Sequence, residues 1–286
     1  MQWCDLHTHS TASDGTDTPS QIVEKAVEMG LSAVALCDHD TISGLNEFLE
    51  SAKDKCILAI PGAEFSVDYN GNELHLLGLF IPEESFGELS ALMSAEVERK
   101  KKQKRELIEK LNKAGYKVDI DRILAAFPYG LFNRVPVAKQ LVENGYVSSI
   151  EEAFNTLLSE DGGFYNPGDR ITVWQMLEIL NRVGAVPVLA HPLKSVSEGI
   201  LREFLPFAKE KGLAGMECYY SEYDEATTQK AFSIADEFAL LYSGGSDYHG
   251  DNKPHINLGT GTGKLRVPID FALEIERESK KRIVAD

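Results

Sequence analysis

The chain of 286 residues has only four cysteines, Cys4, Cys37, Cys56 and Cys218, and no two stand in a CxxC spacing. Nothing in that pattern supports a disulfide framework or a thiolate metal site, so all four are expected as buried, reduced thiols in or beside strands. Positive charge is scarce too: 29 Lys and Arg oppose 45 Asp and Glu, for a formal net charge of −16. A long groove for polymeric nucleic acid needs a basic footprint that this chain lacks. Small anionic substrates stay open, because bound cations reverse the local field. Apolar runs are no longer than strands, and no basic leader precedes an apolar stretch, so a soluble, cytoplasmic protein with no membrane span is expected. A serine nucleophile elbow, a P-loop, a dinucleotide fingerprint and internal repeats are all missing.

Histidine and carboxylate at strand ends are what the chain does have. Asp5-Leu6-His7-Thr8-His9 continues the apolar start of a first strand at Trp3, and Asp14 follows in the next loop. His39 ends the run 33–38, Glu64 follows Ile57-Leu58-Ala59-Ile60, and His75 opens the run 74–79. His191 ends the apolar run 185–190, while Asp247 and His249 follow the run 240–246. Six of the seven histidines therefore sit beside strand ends, which scattered structural histidines would not do. In an α/β barrel those ends converge on one face, where sites are built from the loops after the strands.

The spacing between strands is filled by helices. Thr18-Pro19 caps one whose apolar face is Ile22, Val23, Ala26 and Val27 and which stops at Gly30. From Pro82 to Asn166 strands vanish and helical periodicity takes over, which predicts a helical insertion over 82–166 in a barrel made of 1–81 and 167–286. A long helix is expected from near Phe86 to Ala114, with Gly115 as its stop. Its basic run 99–105 reads first as a solvated helix face, and second as a side that attracts phosphate at the barrel mouth.

Further helices are expected near 135–142, and after Ser149 with Glu152 in a capping-box spacing. The loop 129–134 places Arg134 at a helix entrance, where backbone N–H groups also favour anions, so Arg134 is a candidate substrate-phosphate ligand. Residues 162–168 read as the return linker, Thr172 with Gln175 caps the next helix, and strands near 215–219 and 240–243 bring the total to roughly seven. The tail 269–281 is helical in pattern and is expected to cover the barrel.

Nine groups, His7, His9, Asp14, His39, Glu64, His75, His191, Asp247 and His249, exceed the needs of one ion. They suit two or three divalent ions with a bridging carboxylate. Imidazole and carboxylate without thiolate permit Mn, Fe or Zn. Asp38 and Asp40 flank His39 and read either as carboxylates that orient imidazoles or as loop caps. Such clusters hydrolyse esters with water: one ion lowers its pKa while others hold the oxygens that gain charge. His191 and Asp247 are the side-chain candidates for general acid, restricted by their ligand duty.

His7-Thr8-His9, Asp38-His39-Asp40, Glu64, His75, His191-Pro192 and Gly245-Ser246-Asp247-Tyr248-His249 together resemble the PHP (polymerase and histidinol phosphatase) family. The resemblance spans nearly the whole chain and implies a distorted seven-stranded (β/α) barrel with a helical insertion domain and a trinuclear site that hydrolyses phosphoesters. It implies that His7, His9, Glu64 and Asp247 hold one ion, and that Glu64 bridges to a second held by His75 and His191. Asp14, His39 and His249 would hold the third.

Within the family the chain is similar to nucleotide phosphoesterases that remove the 3'-phosphate of nucleoside 3',5'-bisphosphates, some of which trim short oligonucleotides from the 5' end. In that branch Arg134 corresponds to a phosphate-binding arginine. A histidine usual in its turn is replaced here by Val135 or Pro136, and a lysine expected shortly before the return is missing from 161–165. Lys194, Lys253 and His255, in loops after His191 and His249, are the candidates to compensate. Two other readings compete: hydrolysis of histidinol phosphate or another small phosphoester, and a regulatory module whose metal site is not catalytic.

Overall fold

The computed structural model describes residues 2–127, 132, 134–159, 161–166 and 170–284. The chain divides into two compact units, one made of Met1–Ala91 with Ile171–Asp286, the other of Leu92–Arg170.

In chain order the elements are β1 (Trp3–Thr8), α1 (Pro19–Glu28), β2 (Ala33–Leu36), α2 (Leu45–Ala52), β3 (Leu58–Tyr69) and β4 (Asn72–Leu79). Then come the helices α3 (Phe86–Lys113), α4 (Ile120–Ala126), α5 (Val135–Glu143), α6 (Ile150–Asn155) and α7 (Val173–Arg182). Alternation returns with β5 (Val186–Ala190), α8 (Pro192–Ser195), α9 (Glu198–Glu210), β6 (Gly215–Tyr220), α10 (Glu225–Glu237), β7 (Leu241–Gly245), β8 (Val267–Pro268) and α11 (Ile269–Val284).

The sheet of the first unit has eight strands in the order β7-β6-β5-β4-β3-β2-β1-β8. It is one strand longer than expected because two residues of β8 pair antiparallel with Trp3 and Cys4 at the start of β1. Local chemistry explains the helices: Thr18 accepts from the Gln21 N–H and the Gln21 side chain returns to Thr18, a full capping box with Pro19 in the first turn. Ile22, Val23 and Ala26 are the buried face this produces.

The barrel interior is apolar below its mouth, with Cys4 and Leu6 of β1, Ala33 and Ala35 of β2, Leu77 of β4 and Val188 of β5 in one buried cluster. Ala272 and Ile275 of α11 join that cluster, so the last helix covers the end where β1 begins. At the other end β7 meets β1 directly: His7 O accepts from the Asp247 N–H at 2.8 Å, and Tyr248 O from the His9 N–H at 2.9 Å. The barrel is nearly closed there. Among the described residues no helix is long and apolar enough to cross a membrane.

The second unit has its own core, where Leu107, Ile108 and Leu111 of α3 meet Val137, Leu141 and Ala153. Its basic run is laced along the helix, with Arg99 on Glu96, Lys101 on Glu98 and Lys102 near Glu106, and most of it is half-buried, with only Lys102 and Arg105 exposed.

Two local expectations need correction. Ser149 does cap α6 by accepting from the Glu152 N–H, but the Glu152 carboxylate reaches Ser148, so the reciprocal half of the box is not made. Cys4, Cys37 and Cys218 are buried free thiols, whereas Cys56 is exposed, because it lies in the turn ahead of β3 and not in the strand. Tyr129, Gly130, Leu131 and Asn133 of the loop before α5, and Pro167 and Gly168 of the return linker, lie outside the described residues.

Candidate metal centre

Period two alone would not aim β1 correctly. Cys4 and Leu6 point into the apolar interior, so a regular strand would turn His7 and His9 outward towards the helices. Pairing with β2 slips between Asp5↔Val34 and Thr8↔Leu36, three residues against two. That bulge resets the side-chain phase and brings both imidazoles inside. A second slip, between Glu217↔Ser243 and Tyr219↔Gly244, acts the same way on β6, so that Glu217 and Tyr220 both reach the mouth.

His75 arrives by a different route. β4 runs antiparallel to both β3 and β5, so its early residues lie at the mouth where parallel strands present their last ones. Glu64 sits within the long strand β3, bridged to His39. His191 and Asp247 stand just past β5 and β7 with φ of 29° and 57°. Left-handed backbone at two non-glycine residues is strain of the kind that clusters at functional sites.

Glu64 is the hub. Its Oε2 lies 3.1 Å from His7 Nε2, 3.3 Å from His9 Nε2 and 3.1 Å from His39 Nδ1. Its Oε1 lies 2.7 Å from His75 Nδ1 and 3.0 Å from His191 Nε2. Asp247 Oδ1 stands 3.2 Å from His9 Nε2, and Asp14 Oδ1 3.3 Å from His249 Nε2. Among the described residues donor atoms gather in three groups able to hold an ion: His7, His9, Glu64 and Asp247; His39, Glu64 and His75; and His9, Asp14, His39 and His249. All nine residues singled out from the sequence converge, His191 joining through Glu64. The grouping differs from the implied one: His39 stands with Glu64 and His75 where His191 was implied, and His9 joins Asp14, His39 and His249 as well.

The donor set fits metal ions. His7 Nε2, both ring nitrogens of His9 and Glu64 Oε2 are buried with no hydrogen-bond partner, and polar atoms in that state are costly. Imidazoles also crowd, with centroids 4.1 Å apart for His9 and His249 and 4.5 Å for His9 and His39. Cations between these lone pairs would satisfy them. Burial alone would raise the Glu64 and Asp247 carboxyls, yet the surrounding imidazoles hold both well below the usual range. For His7 burial is outweighed by Glu217 and Glu64, which lift it well above its ordinary value. His75 is pushed up to about 10 because Glu64 overcomes the same burial penalty. Burial prevails at His39 and His191, which are lowered.

Further residues complete the surroundings, Asp5 and Tyr220 among them without a role read from the sequence. Asp5 is buried and accepts from the Ser246 N–H at 2.8 Å and the Gly259 N–H at 2.7 Å, anchoring the segment before Asp247. Asp38 accepts from the Ser10 N–H and the Ser13 hydroxyl, so of its two readings the loop cap is realised. Asp40 accepts from the Ser66 N–H. Tyr220 donates to Asp247 Oδ2 at 2.9 Å, beside Lys253 Nζ at 2.7 Å. Lys194 reaches Tyr220 Oη at 2.9 Å and pairs with Glu222. His255 is exposed and outside the three donor groups. Arg134, in the second unit, donates to Leu158 O at 2.7 Å and lies over Tyr165 at 4.0 Å and Phe154 at 5.2 Å. Glu217 and Asp5 had a signal in the sequence, since each is a carboxylate inside an otherwise apolar strand.

Comparison with known proteins agrees with the site. Residues 5–163 match the family model described as "PHP domain". A 5'-3' exoribonuclease of Haemophilus influenzae is 32% identical over 86% of this chain and 89% of its own. A phosphoribosyl 1,2-cyclic phosphate 1,2-diphosphodiesterase of Eggerthella lenta is 31% identical over 88% and 97%. A 3',5'-nucleoside bisphosphate phosphatase of Chromobacterium violaceum is 27% identical over 89% and 90%. Among solved structures, a Bifidobacterium adolescentis protein assigned to the metal-dependent phosphoesterases superposes with a TM-score of 0.77 at 26% identity, covering 97% of this chain and 96% of the other.

Proposed function

The chain belongs to the PHP domain family and is a hydrolase of phosphoester bonds; from that premise we propose that it acts on small phosphorylated nucleotides. The favoured substrate is a nucleoside 3',5'-bisphosphate losing its 3'-phosphate, with short oligonucleotides trimmed from the 5' end as a related activity. One observation carries the hydrolytic reading: five imidazoles aim at a single buried carboxylate, Glu64, with four buried donor atoms left without partners.

His7, His9, Asp14, His39, Glu64, His75, His191, Asp247 and His249 would hold two or three Mn, Fe or Zn ions. When bound, such ions supply Lewis acidity and lower the pKa of water, the chemistry that phosphoester hydrolysis requires. Asp247 is kept ionised by His9, His7 and Lys253 against its burial, so it serves as a ligand and holds a proton poorly. Lys194 and Lys253 put two ammonium groups at the mouth, where the anionic substrate must approach. The helical insertion is assigned to substrate binding, with Arg134 on the non-reacting phosphate. Its guanidinium donates to the Leu158 carbonyl and lies over the Tyr165 ring, and a planar guanidinium is the side chain suited to bidentate phosphate contact.

Phosphate release from adenosine 3',5'-bisphosphate by the manganese-loaded protein, beside the His39→Ala variant and a short 5'-phosphorylated oligonucleotide, tests this directly. Fast release that the variant loses supports the reading. No release with metal bound overturns the nucleotide assignment. The Eggerthella relative's name adds a cyclic phosphodiester as the second substrate to assay, and histidinol phosphate is the third.

A further inference from the structure

Glu217 belongs to none of the three donor groups, yet it is fully buried in the barrel mouth. Among the described residues no lysine or arginine pairs with it there. Its two oxygens are both used, and by two different ligand residues. Oε1 lies 3.0 Å from His7 Nδ1, and Oε2 accepts from the His191 backbone N–H at 2.7 Å. The two imidazole rings stand nearly parallel, 5.7 Å apart with 16° between their planes.

Resting on the metal-centre reading above, we infer that Glu217 is a positioning residue that sets the tautomer of His7 and holds the backbone of His191 in its ligating conformation. With Nδ1 donating to the carboxylate, the lone pair of His7 is left on Nε2. That atom is buried, has no hydrogen-bond partner and faces Glu64 Oε2 at 3.1 Å and Asp247 Oδ1 at 3.8 Å. A ligating histidine held through its other nitrogen by a carboxylate is both oriented and made more basic. The second contact has a different purpose. His191 has φ of 29° and ψ of 49°, an unfavourable conformation for a residue with a Cβ, and the short N–H bond to Glu217 helps hold it.

The bulge in β6 is what makes one carboxylate available to both. By placing the slip between Glu217 and Tyr219, it lets Glu217 serve His7 and His191 while Tyr220 serves Asp247. Three ligand residues are thereby held from one strand.

Cadmium-113 and manganese, added alone, are the probes. Affinity and stoichiometry are measured by chelator competition for the wild type, Glu217→Gln and Glu217→Ala, with folding followed by circular dichroism. An amide can accept only one of the two N–H groups, so Gln is expected to weaken metal binding about 10-fold and Ala about 100-fold. Wild-type protein that takes up no metal would defeat the metal-centre reading itself. Wild type that binds while folded Glu217→Gln binds equally well would overturn the role of Glu217 alone. If neither variant folds, the cadmium-113 to nitrogen-15 couplings of the wild type decide: coupling through His7 Nε2 supports the inference, and coupling through Nδ1 refutes it.

Discussion

Replacing Gly245 with alanine should be costly. A Cβ built there falls 2.4 Å from His7 Cβ and 2.5 Å from His7 N, atoms of strand β1 that cannot rotate away. Ordinary contact begins at 3.4 Å, so β7 must retreat from β1 by about 1 Å, far beyond the roughly 0.2 Å tolerance of a metal–ligand distance. That retreat also opens the 2.8 Å bond from the Asp247 N–H to His7 O. Overpacking costs about 1–3 kcal/mol and a buried backbone group left unpaired about 1–3 kcal/mol more. Urea unfolding of metal-free protein should therefore show a loss of about 2–6 kcal/mol, and the folded variant should bind metal poorly. Gly87→Ala is the control. Nothing lies within 4 Å of its added Cβ, and its helical position predicts no loss and a gain of up to about 1 kcal/mol. Equal stability and metal affinity for Gly245→Ala and wild type would refute the geometry of barrel closure.

Stripping metal with a chelator should lower the thermal midpoint, since ligand binding at 100 times Kd contributes about 2.7 kcal/mol to the folded state; an unchanged melt would count against a metal held by the buried donors. Metal uptake should release protons. His75, at about 10, keeps its proton at pH 8 in metal-free protein and must surrender it to an ion, so apparent affinity should fall by about tenfold per pH unit for that proton as pH drops below 10. Calorimetric titration in two buffers of different ionisation enthalpy measures the release, and identical heats would contradict it. Tyr220→Phe keeps the ring but removes the hydroxyl that donates to Asp247, a bond to a charged acceptor worth about 1.5–3 kcal/mol. Weaker metal binding with an unchanged circular dichroism spectrum is expected; unaltered affinity would remove Tyr220 from the support of Asp247.

The groups proposed above to handle anions are Lys194, Lys253 and Arg134. Lys194 and Lys253 stand beside the ligands of the barrel, whereas Arg134 is built into the helical unit by Tyr165, Phe154 and the Leu158 carbonyl. The Arg134→Ala variant should accordingly raise KM for a bisphosphate far more than for a generic aryl phosphate. Equal effects on both would argue against a dedicated phosphate clamp.

Much of the site was legible in the residue order. Histidine and carboxylate beside apolar runs singled out nine residues that the fold brings together, because an apolar run is a local feature of the sequence. The caps at Thr18 and Thr172 were readable for the same reason, as each bond closes within three residues. At Ser149 the same spacing misled, since Glu152 found Ser148 instead, and a one-residue choice between neighbours leaves no trace in spacing. What only tertiary structure decided was direction and phase. The antiparallel course of β4 brings His75 to the mouth, and the bulge in β1 turns His7 and His9 inward against the alternation of Cys4 and Leu6. Both depend on which strand lies alongside, a partner far away in the chain. The roles of Glu217 and Asp5 follow the same logic: a carboxylate within an apolar strand announces that a buried partner exists, but only the closed barrel determines that the partners are His7, His191 and the segment before Asp247.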